Sequence, residues 1–276
     1  AIRCVVACLL AGCAYTATSS LPARYRTIRV PAFKSSVREY DLQAGLTNAV
    51  RRKFLNDGRL RVVNEEDADI IIEVDDDVKF LEGQSLVGHH LDNLYSNNGL
   101  TVYSSSKWYN TLENIRISGD TIFPRGHPYD PATRIQKYIW VNESSTCVLN
   151  MGLWAGHPDL DALTILYNGG LDGRCNTLSC GIVREKVIVG KGTYFAICSM
   201  NTSFDRKIIP AFYQLYMKYF GIDRFDDIWS GIFLKKIADH LGDKVCIGKP
   251  LVYHDKRPRN IFRDLKSELE GIAINE

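Results

Sequence analysis

The sequence predicts an α/β protein: a mixed sheet covered by helices, preceded by a small βαβ segment. Three observations carry that reading. Helical and strand patterns alternate from Ile70 to the C-terminus, the pattern of a sheet with helices packed on it. The run Ile70-Ile-Ile-Glu-Val74 is β-branched and ends in Asp75, Asp76 and Asp77, as a buried strand does when it brings polar groups to its carboxyl end. Ahead of it, strand, helix and strand signals succeed one another between Thr27 and Val63.

Taken in order, Thr27–Val30 reads as a strand. Asp41 caps a helix with Leu42, Leu46, Ala49, Val50 and Phe54 on one face, and Asp57-Gly58 ends it before a second strand at Leu60–Val63. Residues 82–121, rich in Ser, Asn, Gly and Tyr, read as a long loop or insertion, of the kind that tends to be functional. Further strands are expected at Cys147–Leu153, Val187–Val189, Tyr194–Cys198, Val245–Ile247 and Leu251–Tyr253. Helices are expected at Asp205–Phe220, at Asp226–Leu241 with Ile228, Ile232, Phe233 and Ile237 inward and Gly242 as the stop, and at Asn260–Leu269.

Composition narrows the classes. Of 276 residues 45% are hydrophobic and 24% charged, which excludes disorder, collagen and coiled coil. A formal charge of +2 offers no basic footprint, so no nucleic-acid partner is expected. The eight cysteines contain no CxxC pair and read as buried thiols, with Cys175 and Cys180 alone close enough in sequence to suspect of bridging.

The apolar opening, Arg3 to Cys13, is too short to span a bilayer and has the length of a signal-peptide core. Leu10-Ala-Gly-Cys13 resembles a bacterial lipobox, which makes Cys13 the candidate lipidation site. The stretch from Cys13 to Asp69 resembles the LptE-type lipopolysaccharide-assembly lipoproteins, outer-membrane proteins without catalysis. On that resemblance, residues 1–13 are a leader, 14–69 a βαβ lipoprotein-like segment, and membrane contact comes only through a lipid on Cys13.

Chemistry is expected at the acidic triplet. Carboxylates one residue apart on a turn at the end of a sheet strand suit a hard divalent cation, Mn²⁺ or Mg²⁺, held against a diphosphate. A cation there would neutralise a leaving nucleoside diphosphate. A solvated acidic turn is the competing reading of the triplet alone.

The runs Val74-Asp-Asp-Asp77, Phe123-Pro-Arg-Gly-His-Pro-Tyr129, Pro158-Asp-Leu-Asp-Ala162, Cys198-Ser-Met-Asn201, Arg224-Phe-Asp-Asp-Ile-Trp-Ser-Gly231 and Tyr253-His-Asp-Lys256 occur in this order. Together they resemble the reversibly glycosylated polypeptides, the UDP-arabinopyranose mutase family of GT-A-like glycosyltransferases, over residues 70–276. The resemblance implies a GT-A-like sheet and a UDP-sugar partner. It also implies interconversion of the pyranose and furanose forms of UDP-arabinose, and glycosylation of an arginine. Asp75, Asp76 and Asp77 match the family's metal-binding triplet. Arg134 is the nearest candidate for the glycosylated arginine, through a longer spacer than the family pattern.

Other roles rest on residue type and place. Asp226 and Asp227 stand at a helix N-terminus, where carboxylates stabilise the dipole, and beside Trp229 they suit sugar hydroxyls over an aromatic face. His254 follows a strand and is the candidate third metal ligand; Lys256 and Arg257 are candidate diphosphate contacts. Cys198 and Met200 read as core.

The segment 14–69 contains no Gly-rich turn, so 70–276 is expected to lack the usual N-terminal nucleotide-binding half and to bind nucleotide sugar with weak turnover. The chain reads as a fusion whose halves disagree on compartment, cytoplasmic for the enzyme and periplasm-facing outer membrane for the lipoprotein. Homo- or hetero-oligomers fit either half.

Overall fold

In the computed structural model, the residues described are 27–29, 48, 52, 61–62 and 69–276, the last without 76, 118, 120 and 213–216. Strand β1 (Thr27–Arg29) pairs in parallel with β2 (Arg61–Val62) on one side and with β3 (Ile70–Val74) on the other, Ile28 opposite Ile70. Both strands expected ahead of Ile70 therefore extend the main sheet. The helix expected between Asp41 and Asp57 lies outside the described residues except for Asn48 and Arg52, which are helical; the leader and Cys13 also lie outside them.

β4 (Val78–Phe80) follows the acidic turn. The expected loop over 82–121 is instead well structured: helix α1 (Leu86–Tyr95), β5 (Leu100–Ser104), a 3-10 turn and β6 (Ile115–Ile117). The Ser85 hydroxyl accepts from the Gly88 N–H at 3.1 Å and starts α1, which buries Val87, Leu91 and Leu94. That apolar spacing is helical, and the surrounding Ser, Asn and Gly hid it.

Next come β7 (Tyr138–Val141), β8 (Leu149–Gly156), α2 (Ala162–Tyr167), β9 (Ser179–Ile182), β10 (Lys186–Val189) and β11 (Asn201–Asp205). Helix α3 (Asp226–Leu241), β12 (Val245–His254) and α4 (Ile261–Ile274) complete the chain. The sheet order is β2-β1-β3-β11-β8-β12-β10-β5-β7, with β4 on β12 and β9 joining β6 to β8. β8 and β12 run parallel at its centre, while β11 is antiparallel to both β3 and β8, so the sheet is mixed. The core lies on these central strands, where Leu149, Met151, Leu153, Val245 and Ile247 are buried.

Several expectations are corrected. The two strands at Val245–Ile247 and Leu251–Tyr253 are one strand; its register on β8 shifts between Gly248 and Val252, around Pro250, which has no N–H to give a ladder. Tyr194–Cys198 is not a strand: Tyr194 makes one isolated bridge to Trp108, and the Cys198 N–H turns to the Met151 sulfur at 3.2 Å. Asp205–Phe220 is not one helix. Asp205 ends β11 and caps a 3-10 turn at Arg206–Ile208, so the first residues of the expected helix belong to a strand and a short turn.

On α3, Gly242 stops the helix with φ 81°, as read, but Phe233 and Ile237 face outward at 55% and 42% exposure. The buried positions are Ile228, Ser230, Gly231, Leu234, Lys235 and Ala238. Gly231 sets them: a Cβ there would lie 2.4 Å from Ile197, so the helix packs closer than any larger residue allows. Cys175 is a free, buried thiol, so the suspected bridge to Cys180 does not form; Cys198 and Met200 are buried as expected. Among the described residues no helix is long and apolar enough to cross a membrane.

Candidate active-site cleft

The carboxyl ends of β3 and β12 open into a cleft of about 280 Å³. Its acidic lining is Asp75, Asp77, Asp159, Asp223, Asp226 and Asp227; its basic lining is Arg125, Arg224, His254, Lys256 and Arg259. The topology explains the meeting. β3 delivers Asp75 and Asp77, β12 delivers His254 and Lys256, and α3 points its N-terminus, with Asp226 and Asp227 in the first turn, at the same place.

Asp75 is anchored through its backbone, which donates to the Met200 carbonyl at 3.2 Å. Solvent reaches its side chain from the cleft, yet the walls enclose it. Burial first, then the charges of Asp77, Asp227 and Asp159, push its carboxyl up to about 7. Asp77 differs. Burial pushes it up, but the hydrogen bond and charge of His254 prevail and hold it below the ordinary range. Asp76 lies outside the described residues.

His254 is buried, and its Nδ1 lies 2.7 Å from the His157 carbonyl oxygen. A carbonyl only accepts, so Nδ1 carries a proton and donates. Nε2 then faces Asp77 Oδ2 at 3.4 Å. A neutral ring would set a lone pair against a carboxylate, so this pair calls for a cation between or upon its members, either a proton or a metal. A second oxygen of Asp77, Oδ1, is buried without a hydrogen-bond partner. Among the described residues no three His, Cys, Asp or Glu side chains form a ready metal cage. Mg²⁺-type sites use one or two carboxylates and complete their shell with phosphate oxygens and water, and the donors here fit that kind of site.

Arg125 organises the opposite wall. Its Nε and Nη2 donate to Asp159 Oδ2 at 3.1 and 2.8 Å, and Nη1 and Nη2 donate to the two oxygens of Asp227 at 3.1 Å each. Nη1 also donates to the Arg224 carbonyl. Burial opposes ionisation of Asp159, yet Arg125 and Arg224 hold its carboxyl well below the usual range. The turn holding Arg125 needs Gly126: its φ is +85°, and a Cβ would lie 2.4 Å from Ile228 of α3. Asp226 stays free of this network, with Oδ1 unpartnered, and burial raises its carboxyl.

Lys256 is 3% exposed, its Nζ has no hydrogen-bond partner, and burial lowers its ammonium to about 8, with Arg224 adding to the effect.

Asp75, Asp77, His254, Lys256, Asp226 and Asp227 thus converge. Three other expected site residues stand apart from the cleft lining. Trp229 packs on Phe225 with ring centroids 5.5 Å apart and donates through Nε1 to Asn275 Oδ1, and it is not part of the cleft lining. Arg257 is exposed, and Arg259, two residues on, takes the lining position. Arg134 lines a separate apolar groove with Phe123, Tyr129, Leu163 and Tyr167. Sequence reasoning missed Arg125, Asp159, Arg224 and Arg259 as site residues. The first three lie inside runs quoted above, but nothing local in those runs shows that they meet.

A mixed sheet with helices, an acidic turn at the carboxyl end of a strand, and a basic wall facing it define a GT-A-like α/β protein. The chain belongs to the reversibly glycosylated polypeptide family, whose model matches residues 61–276. That match reaches back to include β2. It is similar to UDP-arabinopyranose mutase 1 of Arabidopsis thaliana, 34% identical over 178 residues, covering 63% of this chain and 44% of the relative. Probable UDP-arabinopyranose mutase 1 of Pisum sativum is 32% identical over 212 residues, covering 75% of this chain and 52% of the relative. The chain spans about half the length of the curated relatives it matches.

Proposed function

We propose that the cleft binds a UDP-sugar of the UDP-arabinopyranose type, with a divalent cation, Mn²⁺ or Mg²⁺, held by Asp75, Asp77 and His254, and acts in pyranose–furanose interconversion or sugar transfer. The observation that carries this is the His254–Asp77 pair. Nδ1 is committed to a backbone carbonyl, so Nε2 and a carboxylate oxygen converge on a point where a cation belongs. The family membership and the relatives named as UDP-arabinopyranose mutases supply the substrate class.

The metal, when bound, would neutralise charge on the diphosphate leaving group. The protein's own residues have separate tasks. Arg125 fixes Asp227 and Asp159, so these two serve as a rigid wall. Asp226 lines the cleft and has one oxygen, Oδ1, without a hydrogen-bond partner, which suits it to accept from a sugar hydroxyl or move a proton. With its carboxyl raised to about 7, Asp75 is only partly ionised near neutral pH, and a cation bound beside it would favour the ionised form.

Calorimetric titration of UDP in Mn²⁺ tests the reading. Heat is expected from the unaltered protein and none from Asp75→Ala/Asp77→Ala. Equal heat from both would remove the metal site, and incubation with UDP-arabinopyranose, followed chromatographically for the furanose form, separates binding from turnover.

A further inference from the structure

The described residues include three buried lysines, and the fold answers two of them. Lys186 Nζ donates to the Ser96 and Ser145 carbonyls at 2.7 and 3.2 Å. Lys235 Nζ donates to the Gly190 carbonyl at 3.0 Å and pairs with Asp239. Lys256 is buried as deeply, yet its Nζ has no acceptor within reach, and the residue lines the cleft. An ammonium taken out of water without a partner is destabilising by several kcal/mol as a rule, so such a group persists where a ligand completes it.

Charge around it points to the ligand. The acids whose fields reach Lys256 are Asp159 and Glu268. Both are already occupied: Asp159 by Arg125 and by Arg224 at 3.6 Å, Glu268 by Arg224 at 2.7 Å and by the Ala162 N–H at 2.6 Å. The other charges acting on Lys256 are Arg224 and Arg259, both cations that also line the cleft. A neutral sugar hydroxyl would leave this surplus unmet. A group with more than one negative charge and several acceptor oxygens would meet it, and the ammonium, as a compact point charge, suits a phosphoryl oxygen.

We propose that Lys256 is the phosphate-binding cation of the cleft, its Nζ donating to a phosphoryl oxygen of the bound nucleoside diphosphate. This rests on the sugar-nucleotide reading of the cleft. It divides the diphosphate between an acidic wall that takes it through a cation and a basic wall that takes it directly. Lys256 is therefore a binding residue whose presence the fold tolerates at the expense of its own stability.

That last point gives the test two independent readouts. Lys256→Met keeps the stem and removes the charge; Lys256→Gln is the second variant. Each is titrated with UDP in Mn²⁺ by calorimetry, and each is unfolded thermally without ligand. Loss of a charge-assisted hydrogen bond should weaken UDP binding tenfold or more, by roughly 1.5 to 3 kcal/mol. The unliganded variants should melt at the same temperature as the unaltered protein or higher, because the unanswered ammonium is gone. Unchanged UDP affinity overturns the proposal, and so does a variant that fails to fold or melts several degrees lower, which would mark Lys256 as structural. If the unaltered protein binds no UDP, the sugar-nucleotide reading fails. Inorganic pyrophosphate is then the probe, and its failure to bind the unaltered protein overturns the phosphate site as well.

Discussion

Arg125 and Asp159 are joined by main chain and side chain at once: the Arg125 N–H donates to the Asp159 carbonyl at 2.9 Å, and the guanidinium grips the Asp159 carboxylate through Nε and Nη2. The pair ties the turn before α2 to the loop that carries Gly126, and the same guanidinium reaches Asp227 on α3. One side chain therefore holds three separate stretches of chain around the cleft.

Arg125→Ala should be among the most destabilising single changes. It leaves the carboxylates of Asp159 and Asp227 without their shared cation, and breaking a buried pair from one side typically costs about 3–5 kcal/mol. Arg125→Lys should recover only part, since a point charge cannot serve two carboxylates in parallel. Urea unfolding of the two variants checks this; a loss under about 1 kcal/mol for Arg125→Ala would show that the network is not what fixes the wall.

Much of the cleft's acidic and β12 side was legible in the sequence because its residues sit at element ends. A β-branched run stopping at Asp75 and an apolar strand stopping at His254 both mark carboxyl ends, and the helix signals at Asp226 and Gly242 placed α3 well. The Arg125 wall was not legible. It depends on a contact between residues 34 and 102 positions apart, which no local pattern encodes. The inward face of α3 was misread for a related reason: apolar type favoured Phe233 and Ile237, whereas close approach at Gly231 decided the rotation. In 82–121, polar composition masked the apolar spacing of Val87, Leu91 and Leu94.

His90 makes stability pH-dependent. It is buried beneath the sheet's central strands, with Nε2 donating to Asn201 Oδ1 at 2.9 Å and Nδ1 accepting from Asn150 Nδ2 at 2.8 Å. Both nitrogens are used by the neutral ring, and burial pushes its pKa down to about 4 from the ordinary 6.5, with neighbouring His89 also opposing charge. The unfolded chain therefore binds the proton first. This group's contribution is full above about 6.5 and is lost as pH falls toward 4, by roughly 3 kcal/mol at most. His127, similarly lowered by burial, acts in the same direction. Urea midpoints between pH 7 and pH 4 should fall for the unaltered protein and fall less for His90→Gln; parallel curves would assign the acid sensitivity elsewhere.

Removal of residues 1–64 should expose an edge. β1 pairs with β3 at Ile28↔Ile70 and Arg29↔Ile71, so its loss leaves main-chain donors and acceptors of a strongly apolar strand open to other molecules. The shortened chain should melt lower and aggregate on warming, measured by light scattering during a thermal ramp. Unchanged melting and a monodisperse product would instead favour the division at residue 69, with 14–69 a separate segment on a self-sufficient sheet.

Arg134 separates two roles that the sequence could not. Its guanidinium lies between two rings, 4.1 Å from the Tyr129 centroid and 4.5 Å from that of Phe123, and its Nε donates to the Pro128 carbonyl at 2.9 Å. These contacts sit at the apolar groove, outside the cleft lining. Arg134→Ala should therefore lower stability by about 1–2 kcal/mol, from two cation–π contacts and one hydrogen bond, while UDP affinity stays within about twofold. Arg134→Lys should restore part of the stacking and none of the fork geometry. If Arg134 carries a covalent sugar, incubation with labelled UDP-sugar should label the unaltered protein and not either variant, even though both still bind UDP. A tenfold fall in UDP affinity without loss of stability would place the guanidinium at the nucleotide itself, and labelling of Arg134→Ala equal to that of the unaltered protein would move the modified arginine elsewhere in the chain.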